Sequence, residues 1–206
     1  MLGPVGLPTS TGLHEGIVLA AIQLGAESGE EGLTMRAIAA QLGISVTTIY
    51  QHFDSKASIL REIRFVAVDL LNRALVDAQS DADASVRLGE MSRAYIRFSR
   101  SNPWLYQLMF DAEEIDWSTM PPDERFVALA PIQTTAANFV AGVVQGTFRA
   151  DLDVAEAVLL TWASLHGIAS LLLRGRLSDT HPAFPAPDVA SFLEAFVVHL
   201  VRGFRC

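Results

Sequence analysis

The sequence predicts an all-α protein, and three observations carry that reading. Apolar residues recur at three- and four-residue spacing in every long segment from Leu13 to Phe204. No stretch alternates polar and apolar residues as a half-buried strand would. The breaks fall at helix punctuation: Thr34, Ser45 and Asp153 as caps, Gly29, Gly32 and Gly43 as stops, and Pro103 as a first-turn residue.

Leu13, Ile17, Ala20, Ala21 and Leu24 form the stripe of a first helix that Gly29 and Gly32 end in an acidic turn. Thr34 caps a second helix, Met35–Leu42, closed by Gly43, and Ser45 caps a third over 46–52. From Lys56 on, Ile59, Leu60, Ile63, Val66, Ala67, Leu70, Leu71, Ala74 and Leu75 mark a helix of about six turns, ended by polar 79–84. The period returns over 86–99, and Asn102-Pro103 restarts the chain into a short aromatic-rich helix holding Trp104, Leu105, Leu108, Met109 and Phe110. Residues 111–124 hold six carboxylates and no base, with Pro121-Pro122 marking a surface loop. A helix over 126–148 is expected to kink at Pro131, which lacks the amide donor. Asp153 caps a helix apolar on two faces, and a Pro-rich loop leads to a final stripe of Val189, Phe192, Leu193, Phe196, Val197, Leu200, Val201 and Phe204.

Composition narrows the function. Half of the 206 residues are hydrophobic and only 18% are charged, which excludes a disordered chain and implies deep burial or an apolar ligand. The net charge of −8 argues against a general basic coat, so any nucleic-acid contact must be local. Cys206 is the sole cysteine; it leaves no disulfide framework or Cys-rich zinc site and fits a reducing cytoplasm. Residues 1–12 carry no Lys or Arg to flank a signal peptide and are expected to be a flexible leader. Val154–Leu173 is long enough to span a bilayer, but Glu156, Thr161, Ser164, His166 and Ser170 interrupt it, so it reads as a buried core helix with no membrane partner.

The segment from Thr34 to Phe53 has a mechanical meaning. Ile38, Ala39, Leu42, Ile44, Ile49 and Phe53 can form the small core of two crossing helices, with Gly43 as the left-handed turn residue. That leaves Val46, Thr47, Thr48, Tyr50, Gln51 and His52 on a free face, a set of methyls, hydroxyls, an amide and an imidazole suited to a major groove. Taken singly, Tyr50 and His52 could equally cover the mini-core, and Lys56 could be a solvated helix-start residue. The spacing from Leu33 to Ala39, through Leu42-Gly43-Ile44-Ser45, to the run from Thr48 to Lys56 resembles the DNA-binding signature of the TetR family of repressors. That resemblance implies a dimer with Val46 and Thr47 facing bases, Arg36 assisting, and Thr48, Tyr50, His52 and Lys56 bonding phosphates. One departure stands out: residues 1–60 hold two cations, Arg36 and Lys56, against five anions, a net of −3.

The resemblance continues less specifically downstream. The stretch from Gly146 to Asp153, followed by Trp162-Ala163-Ser164-Leu165-His166-Gly167, is similar to the family's ligand-domain subgroup named for its Trp, His and Gly. It implies a C-terminal helical domain, residues 56–206, that binds a small-molecule effector and dimerises through its last two long helices, behind a DNA-binding domain over 13–55. Leu165, Leu172, Phe192, Phe196 and Leu200 are the expected interface positions, against the alternative that these helices fill the monomer core. Trp104, Met109, Phe110, Phe139, Trp162 and His166 are the candidate effector contacts, with Trp117 a further pocket wall. His166 lies one turn from Trp162 and reads either as an effector partner or as a core histidine. Arg93, Arg97 and Arg100 share a helical face that reads first as solvated, and otherwise as one to take an anion or pair with the acidic 111–124 loop. An enzyme using His166 as base with Asp151, Asp153 or Glu156 finds no nucleophile pair, metal cluster or phosphate loop to support it, so no catalytic residue, cofactor or metal is expected. The expected function is therefore a cytoplasmic, homodimeric repressor released from a palindromic operator by a small apolar effector. The alternative is a ligand-binding or interaction protein of the same fold without DNA binding.

Overall fold

The computed structural model describes residues 12–110, 117–183, 186 and 188–206. Among them the chain forms nine α-helices and no strand: α1 Leu13–Gly32, α2 Met35–Leu42, α3 Val46–Tyr50, α4 Lys56–Asp77, α5 Ala84–Ser101, α6 Pro103–Phe110, α7 Pro122–Gln145, α8 Val154–Leu173 and α9 Val189–Arg202. The only β pairing among these residues is an isolated bridge between Phe148 and Arg205. Of the expected leader, residues 1–11 lie outside the described residues, and Gly12 is the N-cap of α1.

Local chemistry explains the boundaries. The amide of Ala37 donates to Thr34 Oγ1 at 3.1 Å, that of Thr48 to Ser45 Oγ at 3.1 Å, and those of Ala155 and Glu156 to Asp153 Oδ1 at 2.9 and 3.1 Å. Gly43 ends α2 at φ 67°, ψ 28°, a conformation a side chain would strain. Gly29, at φ 68°, kinks α1 without ending it, so the helix resumes for one more turn to Gly32. The expected loop at Pro121-Pro122 needs correction, because Pro122 is the first residue of α7. A proline is at home there, since its missing amide would have no intrahelical partner, and Asp123 and Glu124 follow in a first turn that favours negative charge. Pro131 does not end α7, which runs through it.

Packing divides the chain into two compact units that are not contiguous in sequence. One runs to Leu70 and takes in Ser101–Ala128; the other comprises Leu71–Arg100 and Leu129–Cys206. Both α4 and α7 therefore contribute residues to each unit. In the first, Ile17, Ala21, Leu33, Ile38, Ala39, Ile49, Phe53, Ile59 and Ile63 are buried, whereas Leu42 and Ile44 are half-buried. Trp104 lies against the bare backbone of α1 at Gly25, where an added Cβ would meet its ring at 2.2 Å. In the second unit Phe139 meets Phe204 edge-on and Phe148 at a tilt, with ring centroids 5.0 and 5.2 Å away, and Ala84, Leu88, Ala157 and Val158 enclose them. Gly142 lets α7 sit close beneath Phe148, since a Cβ there would meet that ring at 2.1 Å.

Candidate nucleic-acid interface and effector cavity

In the first unit α2 and α3 bury Ile38, Ala39 and Ile49 on one side. What remains outside is the face expected from the sequence. Thr47, Gln51 and His52 are exposed, Tyr50 is 53% exposed, and Val46 and Thr48 are half-buried. The Thr48 hydroxyl shares a 2.8 Å hydrogen bond with Ser45 Oγ, so it helps hold the start of α3. Arg36 is exposed on α2.

Lys56 sits differently from the sequence reading, which aimed it at phosphate. Its ammonium donates to the Glu30 carbonyl at 2.6 Å and lies 3.7 Å from the Glu30 carboxylate. The reason lies in α1: the kink at Gly29 interrupts the helical ladder near that carbonyl, and a cation there complements the helix end. Nearby, His14 Nε2 is within 2.8 Å of Glu62 Oε2, and its ring stacks on Phe53 at 4.4 Å between centroids. This contact ties the start of α1 to α4 and to the end of the helix-turn-helix. Arg61 pairs with Glu124.

The second unit holds a cavity lined by Leu75 of α4, Leu88, Met91, Ser92 and Tyr95 of α5, Thr135 of α7, and Thr161, Trp162 and Leu165 of α8. It is narrow and partly open, with room for about one water molecule. Tyr95 and Trp162 meet edge-on at 5.3 Å. Of the six expected effector contacts, Trp162 alone lines it. Phe139 is instead fully buried in the aromatic core, and His166 is half-buried with Nε2 3.5 Å from Ser170 Oγ. Trp104, Met109 and Phe110 belong to the first unit, where Phe110 packs against Tyr106. Trp117, also in that unit, is exposed, and its carbonyl accepts from Arg125. Sequence reasoning missed Ser92, Thr135 and Thr161 as cavity residues. Their one legible signal is a hydroxyl on the buried face of a helix, already noted at Thr161 as an interruption of an apolar run.

Leu165, expected at a subunit contact, is only 4% exposed and lines the cavity, so its own subunit already covers it. Leu172, Phe196 and Leu200 are half-buried, Leu200 against the aromatic core, and Phe192 is 40% exposed. Arg93 faces α9 rather than an acidic loop: it bonds Glu194 at 2.7 Å and Glu90 at 3.1 Å. The Arg93 hydrogen bond holds the Glu194 carboxyl below the usual carboxylate range. Among the described residues no group of three His, Cys, Asp or Glu side chains is placed to hold a metal ion.

Comparison with known proteins agrees with this arrangement. Residues 17–63 match the family model of bacterial regulatory proteins of the tetR family, and residues 88–200 match that of the tetracyclin repressor-like C-terminal domain. The chain belongs to the TetR family. As such it is a DNA-binding transcriptional regulator and not an enzyme. It is 34% identical over 143 residues to the HTH-type transcriptional repressor KstR2 of Rhodococcus jostii, a match covering 65% of this chain and 67% of that protein. It is 28% identical over 159 residues to the HTH-type transcriptional repressor DrrR1 of Streptomyces coeruleorubidus, spanning 73% of this chain and 57% of the relative's length. A solved structure of a protein with unknown function from Rhodococcus sp. RHA1 shares the fold with a TM-score of 0.80 at 22% identity, over 96% of this chain and 97% of the other. The helix-turn-helix falls in the first unit and the cavity in the second.

Proposed function

We propose that this TetR-family chain is a cytoplasmic homodimeric repressor that reads a palindromic operator with α3, and that a small uncharged molecule in the second unit's cavity releases it. Residues 13–55 act as the DNA-binding domain and 56–206 as the effector and dimerisation domain. The observation that carries the reading is a polar outer face above a buried anchor: Thr47 and Tyr50 project from α3 and Gln51 and His52 from the turn that ends it, while Ile49 is buried beneath them. Val46 and Thr47 meet base edges with Arg36 assisting, and Thr48, Tyr50 and His52 bond the backbone. Dimerisation is supported by an exposed stripe on α8, Ala155, Leu159, Ala163 and Gly167 at four-residue spacing, and by exposed Phe192 and Val198 on α9. Small residues at 163 and 167 allow a second helix to approach closely; a Cβ at Gly167 would meet nothing within 4 Å.

The test is a mobility shift with DNA from just upstream of the protein's own coding region. Wild type should retard that DNA, and Tyr50→Phe should bind it more weakly by about 1 kcal/mol, the worth of one hydrogen bond. An unshifted wild-type sample would sink the reading. It would favour a ligand-binding protein of the same fold without DNA binding, which the net charge of −3 over residues 1–60 also favours.

A further inference from the structure

Helix α8 carries an opposite charge at each end of its exposed stripe. Glu156 lies in the first turn and Arg174 is the C-cap, eighteen positions on. At about 3.6 residues per turn that is five whole turns, so the two lie on one line along the helix. Both are exposed, and among the described residues neither charged group has an ion-pair partner. Between them the stripe runs through Leu159, 69% exposed, then exposed Ala163 and Gly167, with half-buried Leu171 near the far end. We propose that this face seats a second copy of the chain, antiparallel about a twofold axis level with Leu165, in one register: Glu156 against the partner's Arg174, Leu159 against the partner's Leu171, and Ala163 against the partner's Gly167. The inference rests on the homodimer reading above and names the register that makes the chain select its own kind.

The order of residues along the stripe selects this arrangement. A twofold contact presents the same patch from both subunits, so the patch must complement itself. Rotation about the level of Leu165 carries the acidic end onto the basic end, the two leucines onto each other, and the small residues onto each other at the centre, where backbones can approach closely. A parallel pair would instead set Glu156 against the partner's Glu156 and Arg174 against the partner's Arg174, two like-charge contacts. A slip of one turn would draw Glu156 about 5 Å along the helix from the partner's Arg174 and set Leu159 against the partner's Gly167. Each end pair lies about 13 Å from the axis, where helices crossing at about 20° have diverged by about 5 Å and helices crossing at about 50° by about 11 Å. Glu and Arg side chains bridge the first gap and not the second, so the register implies a shallow crossing. An exposed ion pair adds little affinity, and its effect here is to reject wrong registers and wrong partners.

Exchanging the charges between two full-length chains tests the register. Glu156→Arg alone and Arg174→Glu alone each place like charges at both ends of the dimer, and each should raise the dimer Kd about tenfold in sedimentation. Mixed in equal amounts, the two variants regain both opposite-charge pairs, so native mass spectrometry should find roughly nine heterodimers in ten dimers, against about one in two for random pairing. Both substitutions also oppose the helix dipole, which weakens each variant by itself but is not repaired by mixing. Circular dichroism checks that the variants fold. If either does not, Glu156→Gln and Arg174→Gln take their place; their mixture regains one pair and should still exceed random pairing. Folded variants that dimerise as tightly as wild type, that pair at random when mixed, or that stay monomeric when mixed would each overturn the register. With a dimeric wild type any of these results leaves the homodimer reading standing, whereas a monomeric wild type removes both.

Discussion

Replacing Lys56 with Gln distinguishes a structural lysine from a DNA-contacting one, and the salt dependence of operator binding supplies the scale. With Lys56 held on the Glu30 carbonyl, Arg36 is the one other cation in the first sixty residues of each subunit. A dimer then neutralises about two phosphates, so log K should fall against log salt with a slope of about −1.8. Raising salt from about 50 to 200 mM would cost roughly a twelvefold loss of affinity. Were Lys56 to leave α1 for phosphate in the complex, about four phosphates would be neutralised, the slope would be about −3.6, and the same step would cost roughly 150-fold. Fluorescence anisotropy of a labelled operator across that range measures the slope directly. The expected result is a shallow slope in both proteins, with Lys56→Gln binding more weakly at every salt concentration because the end of α1 is less firmly tied to α4. A wild-type slope near −3.6 that falls by half in the variant would refute the assignment of Lys56 to the fold.

Two further outcomes are expected. Leu159, 69% exposed in the middle of the α8 stripe, can carry a charge without entering the subunit core, so Leu159→Glu should yield folded monomers that bind operator poorly; light scattering that still reports a dimer would take α8 out of the interface. Asp188 is held below the usual carboxylate range by the Ser191 hydroxyl first, and by the Ser191 and Ala190 amides of the α9 cap. Because the folded state lowers its pKa, the stability it contributes is complete above the ordinary carboxylate value of about 4 and fades as pH falls through the lowered one. Asp188→Ala should therefore melt below wild type at neutral pH, with the gap narrowing in acid; a gap that widens on acidification would reverse the sign of this argument.

Much of this molecule was legible in its sequence, and the legible part is local. The caps at Thr34, Ser45 and Asp153 bond amides two or three residues away, and the left-handed turn at Gly43 needs only its own backbone. The outer face of α3 follows from the helical period once Ile49 is known to be inside. The periodicity of α8 likewise marks Leu165 and Thr161 as buried, yet it cannot say whether a partner subunit, a core or a cavity buries them. Tertiary structure alone decided that Phe139 meets Phe148 and Phe204 rather than a ligand, and that Lys56 answers a carbonyl 26 residues away. It alone brought the hydroxyls of Ser92, Thr135 and Thr161 to one cavity from three separate helices. The physical reason is common to all three cases: a repeat within one helix records how far each side chain is withdrawn from water, whereas the identity of the group opposite depends on how helices distant in sequence pack against one another.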